Sequence, residues 1–221
     1  MKMKTTINLT EHEDCDTYKE MLAKAREYGE RAYFPKEVRH QFKAGKKVVF
    51  RRVRTPEKID VMYLYVRTDD RKSVSDMSLA WFSFLVVSGK EGKSFVCSLN
   101  HLDDICVIKS HAISRYIERH GFDGTREECE NHIMKSLVFT YHEVEKITNE
   151  LTMYLDDGLL LGSMVNDIRY FNTYIHKNQM FKNQQINTLY QKLIHRDAVK
   201  EIHDNQEDYF AQVIEVLNKN D

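Results

Sequence analysis

The pattern of apolar and polar positions divides the chain into a helical start, a strand-rich middle and a helical end. Apolar residues recur at helical spacing over 16–32, which predicts a first helix that ends near Gly29 or Pro35. From residue 46 the apolar residues form short runs rich in β-branched and aromatic types. These runs predict five strands, at 46–53, 59–66, 79–87, 94–99 and 105–108.

The last of these strands leads into a predicted helix, after which turn sequences mark a second group of strands. Thr125 and Glu128 have the spacing of a capping box, which predicts another helix from 125 to about 150. Asp157-Gly158 and Asn166-Asp167 are tight-turn sequences, and the first is typical of a type I′ hairpin. They separate three apolar runs that predict an antiparallel meander at 151–155, 159–165 and 168–175.

These elements predict an α+β fold. We expect an antiparallel sheet or sheets packed with a central helix pair, and a helical C-terminus from about residue 178, where helical spacing returns. The fold is expected to be a single compact unit over 1–221, with 1–104 as an N-terminal extension or sheet region and 105–180 as its core. A hydrophobic content of 42%, with 12 tyrosines and 11 phenylalanines, supplies the apolar side chains for such a unit.

The composition excludes several classes of protein. The net charge of −1 gives no indication of a nucleic-acid or membrane partner. The four cysteines lack Cys-x-x-Cys spacing, which excludes a recognisable zinc finger and disfavours a disulfide framework. There is no signal-peptide pattern, and no apolar run approaches the ~20 residues that cross a bilayer. We therefore expect a cytoplasmic protein without membrane contact.

The motifs give no indication of a metal or a cofactor. Neither the phosphate-binding loop of NTPases nor the dinucleotide-binding fingerprint occurs. Glu128 and His132 have a metal-ligand spacing on the helix predicted from 125, but no second pair of ligands supports a metal site. We therefore expect neither a bound metal ion nor a cofactor.

Residues 110–119 combine side chains that suit phosphodiester chemistry. Four residues advance about 40° around a helix, so His111, Arg115 and Arg119 share one narrow face. Histidine titrates near neutral pH and arginine binds phosphate oxygens in pairs, so this face has the groups to move a proton beside a bound phosphate. The alternative is a solvated helix edge, on which the arginines pair with Glu118 or with the next helix.

This segment also resembles a known group of ribonucleases. The string Ile-Lys-Ser-His-Ala-Ile-Ser-Arg-Tyr-Ile-Glu-Arg is similar to the His-Ala-x-x-Arg-x-x-x-Arg helix of small bacterial toxin-like proteins. The run 168–175 resembles the terminal strand of the RelE/barnase/colicin-type ribonuclease superfamily, which cleaves RNA without a metal. The resemblance covers 105–180 and implies four site residues: His111 as the acid/base group, Arg115 and Arg119 as phosphate clamps, and Thr173 as a phosphate-contacting hydroxyl.

The sequence departs from that pattern in two places. Asn172 stands where a basic residue would help to bind phosphate, and the region before 105 has no counterpart in the resemblance. The implied activity is therefore an expectation that rests on short motifs.

The segment 36–54 is the second candidate surface, with eight lysines and arginines against Glu37 alone and with phenylalanines between them. Such a segment suits salt-dependent phosphate binding and base stacking. The expected nucleic-acid-binding residues are Lys43, Lys46, Lys47, Arg51, Arg52 and Arg54. The alternative is an edge strand whose charges prevent aggregation. Acidic residues at 11–16 or 197–208 would cancel the patch if they lay against it.

Together, these features predict a bacterial or phage RNA-binding protein of the toxin-ribonuclease type. Its expected activity is that of a metal-independent endoribonuclease that leaves 2′,3′-cyclic phosphate ends. The alternative is a non-catalytic module, an interaction or inhibitor protein that binds a protein partner or nucleic acid through 36–54. In that case Arg115 and Arg119 are structural ion-pair partners. A nucleic-acid-binding regulator is a third option, although no helix-turn-helix spacing stands out.

Overall fold

The computed structural model describes residues 9–31, 35–67, 79–99, 104–120, 123–138, 142–144, 150–155 and 157–181. Its helices are α1 (Cys15–Arg31), α2 (Lys36–Lys43), α3 (Ser110–His120) and α4 (Arg126–Val138), followed by a 3-10 turn at Lys177–Gln179. Its strands are β1 (Val48–Arg54), β2 (Asp60–Arg67), β3 (Leu79–Gly89), β4 (Gly92–Leu99), β5 (Asp104–Ile108), β6 (His142–Val144), β7 (Glu150–Tyr154), β8 (Gly158–Val165) and β9 (Ile168–His176).

The nine described strands form one mixed sheet in the order β1-β2-β3-β4-β5-β9-β8-β7-β6. Neighbouring strands are antiparallel except β5 and β9, which are parallel. The α+β class is confirmed, but the expectation of purely antiparallel sheets is wrong. The parallel contact joins runs that are far apart in the sequence, and the local pattern of each run is compatible with either direction.

Helices cover both faces of this sheet. On the α3–α4 face, Ala112, Ile113 and Tyr116 of α3 pack with Ile133 and Met134 of α4 against the strands. The α1–α2 face buries a second core, whose helical members include Tyr18, Met21, Leu22, Val38 and Phe42. Each fully buried large apolar side chain contributes about 1.5–3 kcal/mol, so burial on two faces holds the layers together.

The first helix and the predicted strands are confirmed, but α2 was not predicted. Val38 and Phe42 are four residues apart and buried, and they are the whole apolar stripe of that short helix. The same segment is dominated by charged residues, which obscured the helical spacing. The predicted C-terminal helices lie outside the described residues.

The helix predicted from 125 to about 150 is correct at its start and wrong at its end. The Thr125 N–H donates to Glu128 Oε2 at 2.7 Å, and the Glu128 N–H donates to Thr125 Oγ1 at 3.2 Å, which completes the capping box. The helix ends at Val138, and β6 follows at 142. The sequence from Val138 to Tyr141 is rich in β-branched and aromatic types, which lose side-chain freedom in a helix.

Tight turns close the hairpins of the second half. Asn166 and Asp167 both have positive φ, 49° and 61°, as a type I′ turn requires. At the preceding hairpin the Leu155 N–H donates to the Gly158 carbonyl at 2.8 Å, and Gly158 is already the first residue of β8. That turn therefore comes one residue earlier than predicted.

Several strand ends and turns lie along one edge of the sheet, and α3 begins at the same edge. The carboxyl ends of the parallel strands β5 and β9 lie at this edge, together with the β3–β4 and β7–β8 turns. In open α/β sheets, ligands bind in the crevice at the carboxyl ends of the parallel strands, and this sheet has one such parallel pair. Among the described helices, none is long and apolar enough to cross a membrane.

A buried carboxylate on α4 is paired with an arginine of β1, the strand at one end of the described sheet. Glu130 is 3% exposed, and its two oxygens are bound by Arg52 of β1 and by Arg126 of α4, the latter at 3.0 Å. The Arg52 guanidinium also lies 5.9 Å from the ring centroid of Phe95. The pairing satisfies a charge that would otherwise be costly to bury.

We expect Glu130→Ala to lower the free energy of unfolding by about 1–3 kcal/mol, because two guanidinium groups lose their buried partner. The control is Glu127→Ala, which removes an exposed carboxylate from the same helix and should change stability by less than about 0.5 kcal/mol. Urea denaturation measures both variants. Equal losses would contradict a specific role for Glu130.

Candidate functional site

The start of α3 is fixed by two hydrogen bonds to neighbouring strands. The Lys109 N–H donates to the Phe171 carbonyl at 3.0 Å, and the Ser110 N–H donates to Ser94 Oγ at 2.9 Å. The buried face of α3 then packs on the sheet, so the face with the histidine and the two arginines lies away from the core. The predicted helix face is therefore present and accessible.

His111 is paired with a carboxylate from the β3–β4 turn. Its Nδ1 lies 2.9 Å from Oε2 of Glu91, and the imidazole is 44% exposed. We assign the proton to Nδ1, because an ionised carboxylate can only accept. Neutral His111 then has Nε2 as its basic nitrogen, the arrangement that orients catalytic histidines.

Arg115 and Arg119 both have partners within the protein. Arg115 Nε donates to His111 Nε2 at 3.4 Å, while its Nη1 lies 2.7 Å from Glu118 Oε2. Arg119 Nη1 donates to the backbone carbonyl of Tyr174. The pair between Arg115 and Glu118 is the contact expected for a structural role. It is exposed, however, and such pairs contribute only about 0–1 kcal/mol, so an incoming phosphate can replace Glu118 at little cost.

Thr173 does not share this site. The register of β8 and β9 shifts between Leu161 and Gly162, so Leu161 pairs with Thr173 while Gly162 pairs with Phe171. Asn172 is the extra residue of this β-bulge, and it reverses the alternation of side chains. Tyr174 therefore packs under α3, while Thr173 lies opposite it with Leu161 on the other face of the sheet. The structure separates the Thr173 hydroxyl from His111.

Sequence reasoning missed a buried polar network under the C-terminal half of α3. The Tyr116 hydroxyl donates to Asp157 Oδ2 at 2.9 Å and lies 2.5 Å from His132 Nδ1. Tyr116 has only one proton to donate, so His132 must donate its Nδ1–H to the same oxygen. The Tyr174 hydroxyl donates to the carbonyl and to Oδ1 of Asp157, at 3.1 and 3.2 Å.

Burial raises the pKa of Tyr116 and of Tyr174 well above the ordinary value, and the nearby Asp157 carboxylate raises both further. Both hydroxyls therefore stay protonated and serve as donors over the physiological range. The sequence predicts Asp157 only as a turn residue, because the partners that give it this role are distant in the sequence.

The segment 36–54 is largely paired with acidic side chains at its C-terminal end. Arg51 lies 3.8 Å from Glu37, and Arg54 lies 3.5 Å from Asp60. Arg52 binds Glu130, as described above. The acids paired with these three arginines are Glu37, Glu130 and Asp60 and not those at 11–16, while residues 197–208 lie outside the described part of the chain.

The lysines of the expected patch lie at the end of α2 and in the connection to the edge strand β1. Lys43 and Lys46 are exposed, and Lys47 is half-buried; Lys46 Nζ lies 3.1 Å from Gln41 Oε1. β1 stands at one end of the described sheet, as the alternative of a charged edge strand requires. The surface therefore offers fewer cations for phosphates than the sequence suggests.

One further residue, Glu91, belongs to the site and is not predicted from the sequence, and Arg126 lies nearby. Glu91 orients His111, and it becomes recognisable only once the β3–β4 turn is placed beside α3. Arg126 packs against the backbone of Gly92 in the same corner: a Cβ on Gly92 would lie 3.3 Å from its Nη2 and 3.9 Å from Cβ of Ser110. The corner therefore holds cations from two helices.

The described residues contain no group of three or more His, Cys, Asp or Glu side chains placed to hold a metal ion. Comparison of the chain with protein-family models, with curated proteins and with solved structures finds no match. The function is therefore inferred from the side chains at the carboxyl edge of β5 and β9.

We expect Tyr116→Phe to lower the free energy of unfolding by about 1–3 kcal/mol, because the half-buried Asp157 and His132 each lose a hydrogen bond to the buried Tyr116 hydroxyl. Asp157→Ala and the double variant complete a thermodynamic cycle in urea denaturation. The coupling between Tyr116 and Asp157 should exceed about 0.5 kcal/mol. Additive effects would show that the network does not act as a unit.

Proposed function

We propose that this protein binds RNA along α3 and cleaves it as a metal-independent endoribonuclease that leaves 2′,3′-cyclic phosphate ends. The observation that supports this most is the exposed Glu91–His111 pair with Arg115 beside it. A proton-transfer group, its orienting carboxylate and a phosphate-binding cation are together on one helix face. They lie at the edge of the sheet where ligand sites form.

In the proposed reaction, His111 Nε2 takes the proton of the ribose 2′-hydroxyl, and the 2′-oxygen attacks the phosphorus. The bond from phosphorus to the 5′-oxygen breaks, and the imidazolium returns the proton to that leaving oxygen. Glu91 stabilises the imidazolium between the two transfers, as a carboxylate does for a catalytic histidine. The balance of atoms and charge requires no metal ion.

The arginines stabilise the additional negative charge on the phosphorus oxygens. Successive cations on this face are about 6 Å apart along the helix axis, since each residue rises about 1.5 Å. Fixed donors aimed at developing charge are often the largest contribution to catalysis. Arg115 exchanges Glu118 for phosphate when RNA binds, while Arg119 already lies against the end of β9.

A non-catalytic binding module is the second candidate. Its support is that Arg115 and Arg119 have protein partners and that Lys43 and Lys46 are exposed beside the edge strand. On this alternative, binding is salt-dependent and uses the lysines rather than α3. Substitutions on α3 should therefore impair the enzyme, whereas substitutions of Lys43 and Lys46 should impair the binding module.

For the enzyme, we expect purified protein to cleave total RNA and tRNA in the presence of EDTA. His111→Ala should lower the rate by about 10²–10⁴-fold, the usual effect of losing a general acid or base. The matched control is His40→Ala, which removes an exposed histidine from α2. Analysis of product ends should find 2′,3′-cyclic phosphate. Equal cleavage by parent and His111→Ala would reject the assignment.

Binding is tested separately, by titrating RNA with protein across a range of salt concentrations. Arg115→Ala and Arg119→Ala should each weaken binding and reduce the slope of log affinity against log salt by roughly 0.7–1, since each removes one phosphate contact. The control is Lys43→Ala combined with Lys46→Ala. If only this control lost affinity, the binding module would be the better description.

A further inference from the structure

The segment Leu9–Asp14, which precedes α1, lies against the end of β3. The Ser88 N–H donates to the Leu9 carbonyl at 3.3 Å, and Thr10 forms a parallel bridge with Ser88. The Tyr18 hydroxyl of α1 donates to the Thr10 carbonyl at 2.7 Å. These contacts place the Glu11 side chain inside the protein, where the residue is only 7% exposed.

Glu11 is connected to the first turn of α3 through a single hydroxyl. Its Oε2 accepts a hydrogen bond from Ser94 Oγ at 2.8 Å, and the same Oγ accepts the Ser110 N–H at 2.9 Å. Ser94 and Ser110 are buried, with 0% and 3% exposure. One hydroxyl therefore links the Glu11 carboxylate to the Ser110 N–H. This N–H is at the start of α3, where backbone N–H groups have no acceptor within the helix.

The same carboxylate packs on the base of the β3–β4 turn. A Cβ on Gly89 would lie 2.5 Å from Glu11 Oε2, so only glycine leaves room for the carboxylate at this position. Gly89 pairs with Gly92, and Lys90 and Glu91 form the turn between them. Glu11 thus contacts the base of the β3–β4 turn and, through Ser94, is linked to the first turn of α3, the two elements that hold the Glu91–His111 pair.

We infer that Glu11 is a positioning residue for the proposed catalytic group. It fixes the first turn of α3 and the β3–β4 turn relative to one another, and so sets the distance between His111 and Glu91. Its catalytic consequence rests on the proposed function, whereas its effect on the helix start does not. A displacement of about 1 Å in such a group lowers rates by up to about 10²-fold.

The test compares Glu11→Ala, Glu11→Gln and Ser94→Ala with the control Glu20→Ala, which removes an exposed carboxylate from α1. In Ser94→Ala we expect amide hydrogen exchange at Ser110 to become about tenfold faster or more, because the acceptor of its N–H is removed. In Glu11→Ala we expect the same change, because the Ser94 hydroxyl loses the carboxylate that orients it. Glu11→Gln keeps an acceptor oxygen and should restore most of the protection. The control should match the parent.

The kinetic readout is kcat against KM for RNA cleavage. Glu11→Ala should lower kcat by about tenfold or more with KM nearly unchanged, and Glu11→Gln should recover most of kcat. Unchanged hydrogen exchange in both Glu11→Ala and Ser94→Ala would overturn the inference. So would faster exchange with an unchanged kcat.

Failure of the proposed function is recognised separately, because the parent itself would then cleave no RNA. The inference is in that case decided by the His111 ring resonances in NMR spectra, which report its contact with Glu91. Shifted ring resonances in Glu11→Ala, restored in Glu11→Gln, would uphold the positioning role. Unchanged ring resonances would overturn it.

Discussion

The parallel pairing of β5 with β9 is the contact on which the candidate site depends. Parallel strands need a long crossover, and here the crossover contains α3, α4 and β6–β8. Because α3 follows β5 directly, the pairing places α3 over β9 and brings Tyr116 and Arg119 to Tyr174. It also joins the five N-terminal strands β1–β5 to the strands β6–β9 in one sheet.

Much of the secondary structure was predictable because its signals are local. Strand runs, the capping box at Thr125 and the turn at Asn166-Asp167 are each encoded within a few neighbouring residues. The parallel direction of β5 and β9 was not predictable, because no neighbouring residue specifies it. The helix α2 is not predicted, because its only buried residues are one apolar pair four positions apart, and the residues around that pair are charged or polar.

Some residues of the candidate site were likewise predictable from local sequence, and others were not. His111, Arg115 and Arg119 could be grouped from the sequence because helical geometry alone places them on one face. Glu91 and Glu11 could not be added, since they reach His111 and Ser110 only after β3, β4 and β5 have paired. The network of Tyr116, His132 and Asp157 depends on the same long-range packing.

Asn172 has an effect that its chemistry does not explain. Asn172 is the extra residue of the bulge, so its effect on β9 comes from its place in the strand and not from the chemistry of its amide. Every residue after it in β9 is carried to the opposite side of the sheet from where simple alternation would put it. The bulge thus decides which hydroxyl α3 meets, the phenol of Tyr174 or the alcohol of Thr173. Regular pairing of the same sequence through Asn172 would exchange the two, whereas deletion of Asn172 would remove the bulge and leave both on their present faces, so in β9 the register is as much a determinant of the site as residue identity.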